Sequence, residues 1–221
     1  MATYIFVPVM TPEMASIANT WNNDRTKVGK GAYPIIAGDD SGLSKALRRK
    51  FGTGKLSTVQ AGDKLWVLSH GISATDGDGA VVIGNKRGGV LKSAFIGGLT
   101  VEGGTYKLYH VDRLARAIDK EGLTKNFVDL RLYCCNAGLG ATYKGRQLQP
   151  FAERLKQALV GRGYNQVVVK GFRGSLIAGY SEFYAPNTIV VGQEAVTGIG
   201  LGIQVPGETY AQDAYLHVQD F

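Results

Sequence analysis

Cysteine is nearly absent: two in 221 residues, and those two are neighbours, Cys134-Cys135. Adjacent cysteines reach disulfide geometry only under strain. No disulfide framework is therefore expected, which fits a reducing compartment. No apolar run approaches the roughly 18 residues of a membrane span. The opening Met1-Ala2-Thr3-Tyr4-Ile5-Phe6-Val7-Pro8 lacks the charged-then-apolar layout of a signal peptide and reads as a first strand. The expected location is cytoplasmic, or exported without a classical signal. Histidine is scarce too, with three residues scattered at His70, His110 and His217. With the cysteines adjacent, no zinc-ligand spacing results. Gly198-Ile199-Gly200-Leu201-Gly202 alternates glycine but opens no helix, so a dinucleotide fingerprint is not supported. No metal or organic cofactor is expected.

What remains is the composition of an ordinary globular protein, 44% hydrophobic and 19% charged, long enough to bury a sizeable core. The net charge of +7 permits an acidic partner without naming one. The basic residues cluster once, at Lys45, Arg48, Arg49, Lys50 and Lys55. On a helix, positions 45, 48 and 49 share a face, which reads either as a solvated helix surface or as a site for an anionic activator. Aromatics do not interleave with these charges, and nucleic-acid binding is not expected.

Along the chain, strand and helix signals alternate. Thr3 to Val9 reads as a strand. Thr11-Pro12-Glu13 opens a helix to about Asn23, with Thr11 as cap and Pro12 at the first helical position. A short strand is expected over Tyr33 to Ala37, and a helix capped by Asp39-Asp40-Ser41 runs to Phe51. Strands follow at Lys64 to Ser69 and Ala80 to Gly84, with a weaker one near Gly89 to Phe95. A helix from Val111 or Asp112 to Glu121 stops at Gly122. Then come a strand from Val128 to Tyr133, a helix over Gln149 to Val160, and a strand over Gln166 to Lys170. This alternation implies a mostly parallel α/β sheet with helices on both faces. From Leu176 glycine and β-branched residues dominate, so residues 176–221 read as a β-rich tail packed on a single domain.

Two of the strands end in chemically capable residues. Leu65-Trp66-Val67-Leu68 runs into Ser69-His70-Gly71, and Leu130-Arg131-Leu132-Tyr133 runs into Cys134-Cys135-Asn136-Ala137-Gly138. Chemistry in parallel sheets gathers just beyond the carboxyl ends of the strands. A thiol attacks carbonyls as thiolate, and a nearby histidine activates it. His70 and Cys135 are therefore the expected base and nucleophile, with the Gly71 and Cys135 backbone N–H groups as expected oxyanion donors. Cys134 continues the parity of Leu130 and Leu132 and is expected to point into the core. Asp76-Gly77-Asp78-Gly79 has the Asp-Gly pairs of a hairpin turn and lacks the remaining ligands of a calcium loop. His110 and His217 read as structural or surface residues.

The order apolar strand, His-Gly, hairpin, helix with Leu114-Ala115, apolar strand, Cys-x-x-Gly, helix Phe151-Ala152-Glu153-Arg154-Leu155, strand Val167-Val168-Val169-Lys170-Gly171 resembles the caspase-like (clan CD) cysteine peptidases. The likeness covers residues 60–175 and is nearest to the self-processing protease domains of bacterial toxins. It implies a three-layer caspase-like sandwich and a cysteine endopeptidase with a Cys135–His70 dyad, acting on protein or peptide as a bacterial effector or toxin module. Cys134 departs from the small residue usual before the nucleophile. In that family the strand ending near Gly171 borders the specificity pocket, so Arg173 and Gly174 would contact substrate and Arg173 would select an acidic side chain. Some members are activated by inositol hexakisphosphate, for which Arg48-Arg49 would be the anchor. Two other readings stay open: a catalytically silent binding module of the same fold, and a permuted papain-like cysteine hydrolase.

Overall fold

In the computed structural model the described residues are 1–27, 29–40, 54–74, 78–85, 100–101, 104–105, 108–177, 188–191, 194–197, 202–204, 211–213 and 218–221. They form β1 (Thr3–Met10), α1 (Pro12–Lys27), β2 (Ile35–Asp40), β3 (Lys64–Leu68), β4 (His70–Ser73), β5 (Ala80–Gly84), β6 (Thr100–Val101), β7 (Gly104–Thr105), β8 (Leu108–Tyr109), α2 (Val111–Lys120), β9 (Asp129–Tyr133), β10 (Ala141–Tyr143), β11 (Arg146–Leu148), α3 (Phe151–Val160) and β12 (Val168–Phe172). The tail adds β13 (Ser175–Ile177), β14 (Thr188–Val191), β15 (Glu194–Thr197), β16 (Gly202–Gln204), β17 (Ala211–Asp213) and β18 (Val218–Asp220).

The central sheet has six strands in the order β18-β12-β9-β3-β1-β2. Every neighbouring pair is parallel except β12 with β18. β1 and β3 are apolar on both faces, as parallel strands covered by helices must be, whereas β9 carries the Asp129–Arg131 ion pair on one of its faces. Ile5, Val7, Trp66, Leu68 and Tyr133 pack with Met14, Ala18 and Trp21 of α1. Phe6, Leu65, Val67, Leu130 and Leu132 pack on the other face with Leu114 and Ile118 of α2 and Phe151, Leu155 and Leu159 of α3. The fold is thus mixed α/β with helices on both sides of a mostly parallel sheet. The last strand of the β-rich tail closes one edge of that sheet, where Lys170 Nζ donates to Asp220 Oδ2 at 2.7 Å.

Two boundaries differ from the sequence expectation for physical reasons. Thr11 caps α1 as expected, its Oγ1 accepting from the Met14 N–H at 3.2 Å. The helix then runs a full turn beyond Asn23, where Arg25 and Lys27 favour the carboxyl end of the helix. The Asn22 amide grips both backbone groups of Tyr33, donating to its carbonyl at 2.9 Å and accepting from its N–H at 2.8 Å. With its backbone so occupied, Tyr33 stays outside the sheet and β2 begins at Ile35. Lys55 is no part of an anion site: its ammonium donates to the carbonyls of Ala37 and Gly38, each at 2.8 Å. The expected helix over 41–51 with its basic residues 45, 48, 49 and 50, the strand near 89–95, residues 76 and 77, Gly198 to Leu201 and His217 lie outside the described residues. Among the described residues no helix is long and apolar enough to cross a membrane.

The turn that feeds β3 carries an acid-sensitive anchor. Buried Asp63 accepts from the Ala2 N–H at 2.6 Å and from the Gln60 N–H at 3.0 Å. These two donors hold its carboxyl below the usual value of 3.8. A depressed folded-state pKa adds stability above the unfolded value, lost as pH falls through the folded one. Asp63→Asn is therefore expected to cost about 2 kcal/mol near neutrality. Urea midpoints compared with wild type should show that deficit shrinking below pH 4.

Candidate functional site

In the β3–β9 pair Leu68 lies opposite Tyr133, and the Ser69 N–H donates to the Tyr133 carbonyl at 3.1 Å as the strands end. Two residues further along each chain stand His70 and Cys135. Register thus brings these two residues to the carboxyl edge of the sheet. Leu68 and Tyr133 both pack towards α1; His70 opens β4, and Cys135 stands in the turn that follows β9.

The backbones meet there as well. A Cβ placed on Gly71 would fall inside the van der Waals envelope of the Cys135 carbonyl oxygen, 2.9 Å from the carbonyl carbon and 3.0 Å from the Cys135 nitrogen. Glycine after the histidine is needed because the protein's own Cys135 loop occupies that space. The two expected oxyanion donors, on Gly71 and Cys135, therefore belong to segments in direct contact.

The Cys135 loop is tied down on three sides. The Asn136 N–H donates to Gly174 at 2.8 Å and the Gly138 N–H to Phe172 at 2.9 Å, fastening the loop to the end of β12. The Asn136 carbonyl accepts from Ala80 of β5, and the Ala137 carbonyl from Ala152 of α3, each at 3.0 Å. Asn136 takes a left-handed backbone with φ 57°, which asparagine tolerates better than most residues. Gly138 and Gly171 touch: a Cβ on Gly138 would sit 2.8 Å from the Gly171 carbonyl oxygen. The Asp78 carboxylate accepts from the Gly79 and Thr142 N–H groups at 3.0 and 2.7 Å, pinning the β4–β5 turn to β10.

No family model, curated protein or solved structure matches the chain. What the site can do must be read from its own residues.

Cys134 and Cys135 occupy different environments. Cys134 is buried with Leu130, Leu132 and Phe151; burial pushes its thiol well above the ordinary value, and the neighbouring Cys135 adds to that. A thiol so placed holds its proton and is a poor nucleophile. Cys135 is partly exposed. Arg173 is exposed and Gly174 is buried beside the loop it supports. His110 sits just before α2 and makes no side-chain cap. Among the described residues no cluster of three or more His, Cys, Asp or Glu could hold a metal ion.

One site residue escaped the sequence reading. His70 Nε2 lies 3.0 Å from Glu13 Oε1. In sequence Glu13 reads only as an acidic residue in the first turn of a helix. It reaches His70 because β1 and β3 are neighbours, so the helix that follows β1 begins beside the residue that follows β3. A carboxylate at Nε2 keeps the ring proton there and presents Nδ1 as the basic nitrogen.

Proposed function

We propose that the chain is a cysteine endopeptidase of caspase-like architecture, hydrolysing protein or peptide by acyl transfer. The observation that carries this reading is the meeting of the two strand ends: His70 and Cys135 at matched register, with the Gly71 backbone against the Cys135 backbone. In the first step the Cys135 Sγ proton passes to His70 Nδ1 and the thiolate adds to the scissile carbonyl. The oxyanion that forms is met by the Gly71 and Cys135 N–H groups. The Nδ1 proton then goes to the leaving amine, the C–N bond breaks, and water activated by His70 releases the acyl group and restores the thiol. Glu13 orients the ring throughout. Arg173 and Gly174 stand at the rim of the substrate approach. An effector or self-processing role, as in the toxin-type peptidases the sequence resembles, is part of the same proposal.

The test is alkylation by limiting iodoacetamide near pH 6.5, mapped by peptide mass spectrometry. Fast modification confined to Cys135, falling about a hundredfold in His70→Ala, is the expected result, a general base contributing roughly 10²–10⁴-fold. Slow labelling in both proteins, or labelling at Cys134, would replace the peptidase with a catalytically silent binding module.

A further inference from the structure

After Cys135 the chain makes a long excursion, residues 136–149, through the β10–β11 hairpin before it enters α3. One side chain grips both ends of it. At the start, the Asn136 carbonyl accepts from the Ala80 N–H at 3.0 Å. The Ala80 carbonyl in turn accepts from Arg154 Nη2 at 2.9 Å, and the Val81 carbonyl lies 3.3 Å from the same nitrogen. At the far end, the Gln149 carbonyl accepts from Arg154 Nε at 2.9 Å. The junction with β5 is tight: a Cβ on Gly79 would sit 2.5 Å from the Gly140 carbonyl oxygen.

Arg154 serves main-chain oxygens alone. It is partly buried, and among the described residues it joins no ion pair. Burial pulls its guanidinium below the ordinary value, with no carboxylate to offset the cost. Three carbonyls on two elements suit a planar fork of five donors, and an ammonium cannot span them.

We propose that Arg154 is a positioning residue for the nucleophile: by holding Ala80 and Gln149 it fixes the Cys135 turn against the His70-Gly71 segment. This rests on Cys135 being the nucleophile. The path is short, since Arg154 holds Ala80, Ala80 holds Asn136, and Asn136 is bonded to Cys135. A second hold is independent of that side chain, because the Ala152 N–H donates to the Ala137 carbonyl at 3.0 Å through main chain only. Loss of Arg154 therefore loosens the turn on one side without releasing it.

The test combines alkylation of Cys135 by iodoacetamide near pH 6.5 with amide hydrogen exchange followed by NMR. In Arg154→Ala, alkylation is expected to slow roughly 10–100-fold, the scale of an ångström of misplacement. Millimolar methylguanidinium should recover much of that loss, and Arg154→Lys should fall between the two proteins. The Ala80 amide should exchange about tenfold faster or more, while Val67 in β3 and Ile118 in α2 keep wild-type rates. Arg162→Met removes a cation 3.9 Å from Asp119, beyond the far end of α3, and should change neither measurement. Should Arg154→Ala not fold, Arg154→Lys carries both. Faster Ala80 exchange with unchanged alkylation, or faster exchange throughout β3 and α2, makes Arg154 a stability residue and overturns the proposal. So does slow alkylation that neither methylguanidinium nor lysine mitigates. Wild-type alkylation no faster than that of free cysteine, and indifferent to His70→Ala, is a different result: it removes the nucleophile and overturns both readings.

Discussion

Cys135→Ser is expected to abolish hydrolysis of a quenched-peptide library, with a loss of at least roughly 10³-fold, while Cys134→Ala stays within about twofold of wild type. The two sulfurs are one residue apart, so composition and local sequence cannot produce this contrast. The sheet produces it. Cys134 faces the α2–α3 side with Leu130 and Leu132, where desolvation keeps the thiol protonated. Cys135 stands in the turn after β9, partly exposed, with its backbone against Gly71. Serine in its place has a hydroxyl whose proton is far harder to remove than a thiol's, and a site tuned to a thiol does not supply the difference. Removing the Cys134 sulfur costs packing instead, about 1 kcal/mol for a small buried group. That loss reads out as a lower melting point with hydrolysis intact. Equal loss of hydrolysis in both variants would show that disruption of the β9 end, and not loss of a nucleophile, is being measured.

The sequence carried most of the scaffold and only part of the site, and the division follows from range. Strands β1, β3, β9 and β12 were legible because each is a short apolar run between turn residues, the pattern a doubly covered parallel strand imposes. The candidate pair His70 and Cys135 stands out in the sequence because each follows such a run. Glu13 does not, since its role depends on β1 lying next to β3, a fact of strand order that no local pattern encodes. Tyr33 was assigned to a strand on propensity and lost to a side chain: Asn22, eleven residues earlier, claims its backbone. Lys55 counted as one more basic residue until the Ala37 and Gly38 carbonyls took its ammonium. The glycines were legible as glycines, but their reasons were not. Gly138 and Gly171 are small because two loops distant in sequence cross there.

Gly71→Ala is expected to lower the melting temperature by roughly 6–12 °C, equivalent to about 3 kcal/mol, and to cut Cys135 alkylation by about a hundredfold. Most glycine-to-alanine changes in loops are mild, because a methyl group finds open space or a side chain that swings aside. Here the methyl would lie 2.9 and 3.0 Å from the carbonyl carbon and nitrogen of Cys135, and backbone atoms cannot rotate out of the way. The Cys135 loop cannot retreat either, since bonds from Asn136 and Gly138 to β12, and to Asn136 and Ala137 from β5 and α3, hold it. The strain must separate the histidine turn from the cysteine loop, which removes the base from the thiol and both oxyanion donors from one another. Gly31→Ala is the control: nothing lies within 4 Å of a Cβ there, so melting and labelling should match wild type. Differential scanning calorimetry and the iodoacetamide assay read the two consequences independently. Should Gly71→Ala melt and label as wild type does, the two strand ends do not meet in solution, and the dyad loses the contact on which its assignment stands.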